Sequence, residues 1–178
     1  MMTDQQMREF VINQRVIEVY ADGGCINSNP SQIGGTWAWC MVGEDGYVVA
    51  YSSGVVRGYA TNNQMEMVAL CKALRYLPKG WSGLVCSDSE VTLGRLFRGH
   101  AMNNIPVEWI PRVREIVSNL GEVQIRLLQG HPTKADLIAG IGKRKGLPVS
   151  KYNVYCDELC AKAGKEYLIK LKKEAINV

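Results

Sequence analysis

Residues 15–24 read RVIEVYADGG, and this stretch decides the fold. Val16, Glu18 and Tyr20 alternate with Ile17, Val19 and Ala21, which is the two-residue period of a strand. An acid, Asp22, closes the run, and two glycines follow it. A second apolar run, GLVCSD at residues 83–88, closes in the same way on Asp88. Its core, GLVCS, is short and apolar throughout, as expected of a strand buried on both faces. If these two strands are parallel neighbours, they end at the same sheet edge, and Asp22 meets Asp88 there. Ligands of open α/β sheets bind outside the C-terminal ends of the strands.

The rest of the chain supplies the surrounding elements. GGCINSNPSQIGG (residues 23–35) is a turn, TWAWCMVG (36–43) a second strand, GEDG a hairpin turn and YVVAYSSGVV (47–56) a third strand. Three strands with short links pair as an antiparallel meander. A helix follows, with Met67, Leu70, Cys71, Leu74 and Leu77 on one stripe and Glu66 in its first turn. Thr61, Asn62 or Asn63 can cap its start, and Pro78 and Gly80 end it. Asp88 or Ser87 can cap a next helix, roughly Glu90 to Arg98. Pro106 suits a further helix start, Pro111 kinks that helix or delays its start, and Gly121 stops it. VQIRLLQG (123–130) is a fifth strand. Residues 131–152 lack an apolar period and are expected to be mostly loop. NVYCDELCAKAGKEYLIKLKKE (153–174) is the last helix, with Asp157 near its start. The order predicts one mixed α/β domain over 15–174, preceded by a short polar tail or leading turn at 1–14.

Composition narrows the class. A chain of 178 residues is long enough to bury a sizeable core. No apolar stretch approaches the ~20 residues that span a bilayer. MMTDQQMREF lacks the order of a signal peptide. A soluble, cytoplasmic monomer with no organic cofactor is the expectation. None of the six cysteines, Cys25, Cys40, Cys71, Cys86, Cys156 and Cys160, forms a CxxC pair. They read as reduced thiols packed as small hydrophobes.

The net charge of +4 is unevenly spread. Lys143, Arg144, Lys145 and Lys151 fall between Asp136 and Asp157 with no acid among them. The last helix adds Lys162, Lys165, Lys170, Lys172 and Lys173 against Glu166 and Glu174. A basic loop and a basic helix suggest a polyanionic partner, with a solvated face as the plain alternative for the C-terminal lysines.

Asp22, Glu66, Asp88 and Asp157 therefore sit at strand ends and helix starts that one fold could bring together. Four carboxylates sharing a pocket need a cation, which points to a hard-metal site. Taken singly, each has a plainer reading. Asp22 could form a turn, Glu66 could answer a helix dipole, Asp88 could be an N-cap, and Asp157 could pair with a lysine.

The flanking residues add more. ADGGC around Asp22, TNNQMEMVA around Glu66, SDSE around Asp88, and LQGHPT with His131 followed by YCDELC with Asp157 together resemble a type 1 ribonuclease H. The resemblance runs from about Val16 to Gly164. It implies a ribonuclease H-like fold with a five-stranded mixed sheet, three antiparallel strands plus two parallel, flanked by helices. It implies endonucleolytic, magnesium- or manganese-dependent hydrolysis of the RNA strand of an RNA–DNA hybrid by two metal ions, leaving 5′-phosphate and 3′-hydroxyl ends. By position, Asp22, Glu66, Asp88 and Asp157 correspond to the family's metal-binding carboxylates and His131 to its catalytic histidine. Asn62 and Asn63 resemble residues that contact the hybrid's two strands. Thr61 and Asn29 resemble contributors near the DNA phosphate, and Cys25 matches a position whose backbone approaches the RNA. A catalytically weak or inactive nucleic-acid-binding module and a junction-resolving nuclease are the alternatives of the same fold.

This sequence also departs from the family. Glu90 stands where many relatives have glutamine, and the Gly99–Asn104 loop lacks a basic, tryptophan-bearing protrusion. The segment 131–152 is unusually long and carries Lys143, Arg144 and Lys145, which could supply the missing backbone contacts.

Overall fold

The computed structural model describes residues 2–176. The first strand, β1 (Val16–Cys25), sits at the centre of a five-stranded sheet in the order β3-β2-β1-β4-β5. It pairs antiparallel with β2 (Gly34–Gly43), which pairs antiparallel with β3 (Val48–Arg57). On its other side it runs parallel to β4 (Gly83–Ser87), which runs parallel to β5 (Val123–Leu127). The expected sheet is therefore the observed one. β1 runs three residues farther than the alternation suggested. Asp22 lies inside the strand opposite Ala38, and the two glycines still pair with β2 rather than turning.

Side-chain alternation along β1 divides the core. Val19 and Ala21 join Trp39, Met41 and Val85 on one face, beneath α2 (Asn62–Leu74) and its Met67, Leu70 and Leu74. Tyr20 joins Ala38, Cys40 and Cys86 on the other face, where α6 (Lys151–Ile176) lays Cys156 and Cys160 against them. Cys40, Cys86, Cys156 and Cys160 are buried free thiols, as their apolar neighbours implied.

Two stretches differ from the sequence reading, and in a third the structure selects one of its two alternatives. Residues read as a polar tail form α1 (Asp4–Ile12), started by a Thr3–Gln6 capping box. Val11 is fully buried, and Asp4 is gripped by Arg75 and by the hydroxyl of Tyr76 (2.9 and 2.7 Å). Pro111 delays α4 rather than kinking it. A 3₁₀ turn at Val107–Trp109 leads into α4 (Ile110–Ser118), with the proline in its first turn, where a missing N–H costs nothing. Within the segment expected to be loop, Lys134–Ala139 forms α5, and Ile141 bridges to Pro148. The remaining helix, α3 (Glu90–Phe97), is capped by Ser89, which accepts from the amide of Thr92.

Candidate active site

Register builds the first half of the site. Tyr20 of β1 stands opposite Cys86 of β4, and two residues on along each parallel strand stand Asp22 and Asp88. Glu66 is the fifth residue of α2, just past the helix's first turn rather than within it as the sequence suggested. Thr61 fixes that turn by accepting from the amide of Gln64, whose side chain returns to the Thr61 amide. One oxygen from each of Asp22, Glu66 and Asp88 lies within 4.8 Å of the other two.

Two glycines make the approach possible. A Cβ on Gly23 would land on the backbone carbonyl of Met65 and the amide of Glu66, so β1 and the start of α2 touch backbone to backbone. A Cβ on Gly130 would stand 2.6 Å from Oδ2 of Asp88, so the chain leading to His131 passes directly over that carboxylate.

The carboxylates are poorly satisfied by the protein. The amide of Gly23 donates to Oδ1 of Asp22 (2.9 Å), and Nδ2 of Asn153 reaches Oδ2 of Asp88 at 3.5 Å. Oε2 of Glu66 is buried without any hydrogen-bond partner. No lysine or arginine forms an ion pair with the three acids among the described residues. Because Ser89 caps α3, Asp88 has no capping duty. Burial raises the Asp22 carboxyl to about 7, and the charges of Asp88 and Asp157 push it the same way. Burial, then Asp22 and Asp88, hold Glu66 well above the carboxylate range. Burial also raises Asp88, against the hydrogen bond from Asn153 and the pull of His131. Burial and repulsion of this kind are what a bound cation relieves. The donor set is all carboxylate oxygen, with one oxygen left orphaned, which fits a hard divalent ion. The nearby Cys160 thiol is no rival ligand. It donates to the main-chain oxygen of Asp22 (3.3 Å), and burial keeps it protonated by raising its pKa.

Asp157 stands apart from this trio. It is half-exposed on α6, one turn after Asn153, and its Oδ2 lies 3.8 Å from Nδ1 of His131. His131 is exposed and holds a left-handed backbone (φ 47°) that non-glycine residues seldom adopt. The loop beyond it is ordered by Asp136. That carboxylate accepts from the Thr133 amide and hydroxyl and from the Lys143 amide (2.9, 2.8 and 3.1 Å). These bonds, that from Lys143 foremost, hold it below the usual carboxylate range.

The proposed substrate-contact residues fare unevenly. Cys25, Asn29 and Asn62 form a knot between the end of β1 and the start of α2. Asn62 accepts from the Cys25 amide (3.0 Å), and Asn29 accepts from the Asn62 amide (3.1 Å). Thr61 spends its hydroxyl on the cap, while Asn63 is exposed. An open cavity of about 710 Å³ is lined by Asp22, Glu66, Asp88, His131 and Asp157, and Cys25 and Asn62 also line it. Asn29, Thr61, Asn63, Lys143, Arg144 and Lys145 do not. Asn153 escaped the sequence reading, although it stands one helical turn before Asp157. Lys165 and Lys172 were legible there only as part of a basic helix, not as residues lining the cavity.

The RNase H family model matches residues 14–165. The ribonuclease H of Chlorobium luteolum is 31% identical over 152 residues, covering 84% of this chain and 96% of that protein. That of Chlorobaculum parvum is 29% identical, covering 86% and 98%. That of Methylorubrum extorquens is 28% identical, and this chain spans 60% of its length. Among solved structures, RNase H1 from the archaeon Halobacterium salinarum superposes with a TM-score of 0.58 at 22% identity, covering 84% of this chain and 98% of that one. LC11-RNase H1, solved in complex with an RNA/DNA hybrid, superposes at 0.57 and 23% identity, covering 85% and 98%. These last two likenesses bear on the fold alone. With the match extending from before β1 to beyond Asp157, this chain belongs to the RNase H family.

Proposed function

We propose that this chain is a metal-dependent endoribonuclease that cuts the RNA strand of RNA–DNA hybrids. The observation that carries the proposal is the convergence of Asp22, Glu66 and Asp88 on one cavity, with an orphaned Glu66 oxygen. Membership of the RNase H family supports it, and so does the fold neighbour LC11-RNase H1 in its hybrid complex.

Asp22, Glu66 and Asp88, joined by Asp157, would hold two magnesium or manganese ions. Such ions neutralise the attacking and departing oxygens of an in-line displacement. Asp22 would be the most rigidly held of these ligands, because it lies within the central strand opposite Ala38 of β2. In the reaction, a water oxygen bonds to phosphorus while the bond from phosphorus to the 3′ oxygen breaks. One water proton leaves to solvent and the 3′ oxygen gains one, giving 5′-phosphate and 3′-hydroxyl ends. His131 would serve in that exchange, a reading supported by its exposure, its place on the cavity wall and its closeness to Asp157. Asn62 and Asn63 would contact the hybrid's two strands and the backbone at Cys25 would approach the RNA strand, whose 2′-hydroxyl distinguishes RNA from DNA.

A substrate panel tests this reading. Labelled RNA–DNA hybrid, double-stranded RNA, double-stranded DNA and a four-way junction are incubated with magnesium and then with chelator. Cleavage confined to the hybrid and stopped by chelator is expected. Binding without cleavage would instead indicate a binding module, and cutting of the junction a resolvase.

Lys143, Arg144 and Lys145 are exposed beyond the rim of the cavity. As phosphate contacts, they steepen the salt dependence of hybrid binding by about 0.9 per contact. Replacing all three with alanine should lower the slope by up to about 2.7. Unchanged affinity and slope would remove the loop from the interface.

A further inference from the structure

The cavity that holds the carboxylates does not stop at them. Its floor continues along α6 through Asp157, Ala161, Lys165, Leu168, Ile169 and Lys172, a stripe at helical spacing. Lys165 is the last residue the family model matches, so Leu168, Ile169 and Lys172 lie beyond it. At 1.5 Å per residue, Lys165 sits about 12 Å and Lys172 about 22 Å along the helix from Asp157.

This part of α6 is held in place. The Tyr167 hydroxyl donates to the main-chain oxygen of Ile33 (3.4 Å), and Arg57 stacks over the Tyr167 ring at 5.6 Å. The end of the helix is thus tied to the loop entering β2 and to the end of β3. Neither Lys165 nor Lys172 forms an ion pair among the described residues, whereas Lys170, off the stripe, pairs with Glu174 at 3.9 Å. Two exposed ammonium groups with an aliphatic step between them face an open groove that leads to the carboxylates.

We propose that Lys165 and Lys172 form a second anchoring site for the substrate, gripping backbone phosphates of the bound hybrid several nucleotides from the cleaved bond. The proposal rests on the hybrid nuclease reading above. A polyanion suits this groove because its far half is purely cationic while its near half is acidic until cations bind. Lysine grips phosphate as a point charge without reading bases, so the contact adds affinity on any sequence. Leu168 and Ile169 present an apolar surface between the two charges against which a sugar can pack.

The test compares Lys165→Gln/Lys172→Gln with Lys170→Gln/Lys173→Gln, which removes the same charge from positions that do not line the cavity. Hybrid binding is followed by anisotropy in chelator from about 50 to about 200 mM salt, with circular dichroism as the folding control. Loss of two phosphate contacts lowers the salt slope by about 1.8. The expected result is a roughly tenfold affinity deficit at the low-salt end that closes toward the high-salt end. Equal effects of the two double variants, or no change of slope in the first, would overturn the anchoring site. Wild-type protein assayed in parallel with magnesium separates the two ideas, because failure to cut the hybrid sinks the nuclease reading itself.

Discussion

Asp22→Asn is expected to abolish hybrid cleavage and, in chelator at pH 8, to raise the melting temperature. The two effects share a cause. The Asp22 carboxyl titrates near 7 in the folded protein, against 3.8 for an unperturbed aspartate. Between those values the folded chain holds a proton that the unfolded chain has lost. Stability therefore falls as pH rises from about 4 to about 7, and the full penalty is present above that window. Raising a carboxyl pKa by one on folding costs about 1.4 kcal/mol once the group is ionised, and the penalty is shared with Glu66, so relief on the order of 2–4 kcal/mol follows. For a chain of this length, that is a rise of about 5–10 °C. At pH 5 the gain shrinks, because wild-type Asp22 is already protonated. Magnesium should reverse the ranking by stabilising wild-type protein while giving the variant little. Thermal scans at both pH values, with and without magnesium, read all of this. A variant that melts below wild type in chelator at pH 8, or that still cuts hybrid, would contradict the assignment.

Gly23→Ala should be nearly as damaging without altering any charge. The added methyl falls on the main chain of Met65 and Glu66, not on the movable tip of a side chain. β1 has little room to retreat, because β2 pairs with it through Cys25 and β4 holds it up to Tyr20. The start of α2 must move instead, and Glu66 moves with it. Overpacking of this kind costs about 1–3 kcal/mol or more, and a shift of about 1 Å at a reacting centre costs about a hundredfold in rate. Gly24→Ala is the matched control for the fold, since its Cβ would find only the Thr36 hydroxyl, at 3.9 Å. Melting curves for the pair should separate clearly, with Gly24→Ala close to wild type. Similar curves for the two would show that the backbone contact is not tight.

Much of this geometry was legible in the chain. Alternation in RVIEVYAD and the plain apolar run GLVCS were enough to set two parallel strands side by side, and their shared register carries Asp22 to Asp88. Thr61 was one of three candidate caps for the helix that delivers Glu66, and the structure selects it. Other features were hidden for definable reasons. The capping boxes at Thr3 and Thr133 were present as sequence signals. The helices they start bury only Val11 and Asp136 respectively, so neither shows an apolar stripe. The double glycine after Asp22 suggested a turn, because nothing local reveals that another backbone must pass there. Asp88 and Ser87 were the candidates for one cap, and the three-dimensional path gives it instead to Ser89. The groove along α6 joins residues from opposite ends of the chain, which no local pattern can pair.

The loop between His131 and Asp157 is closed at its base. The Gln129 amide bonds to the oxygen of Pro148 (2.9 Å), Ile141 bridges to Pro148, and Asp136 draws in Lys143. Gly142 and Gly146 close the tip over Lys143, Arg144 and Lys145. Length and charge at that tip are thereby uncoupled from the placement of His131 and Asp157. The segment is built like an interchangeable cartridge, in which residues at the tip could be added or exchanged without re-aiming the groups at its mouth.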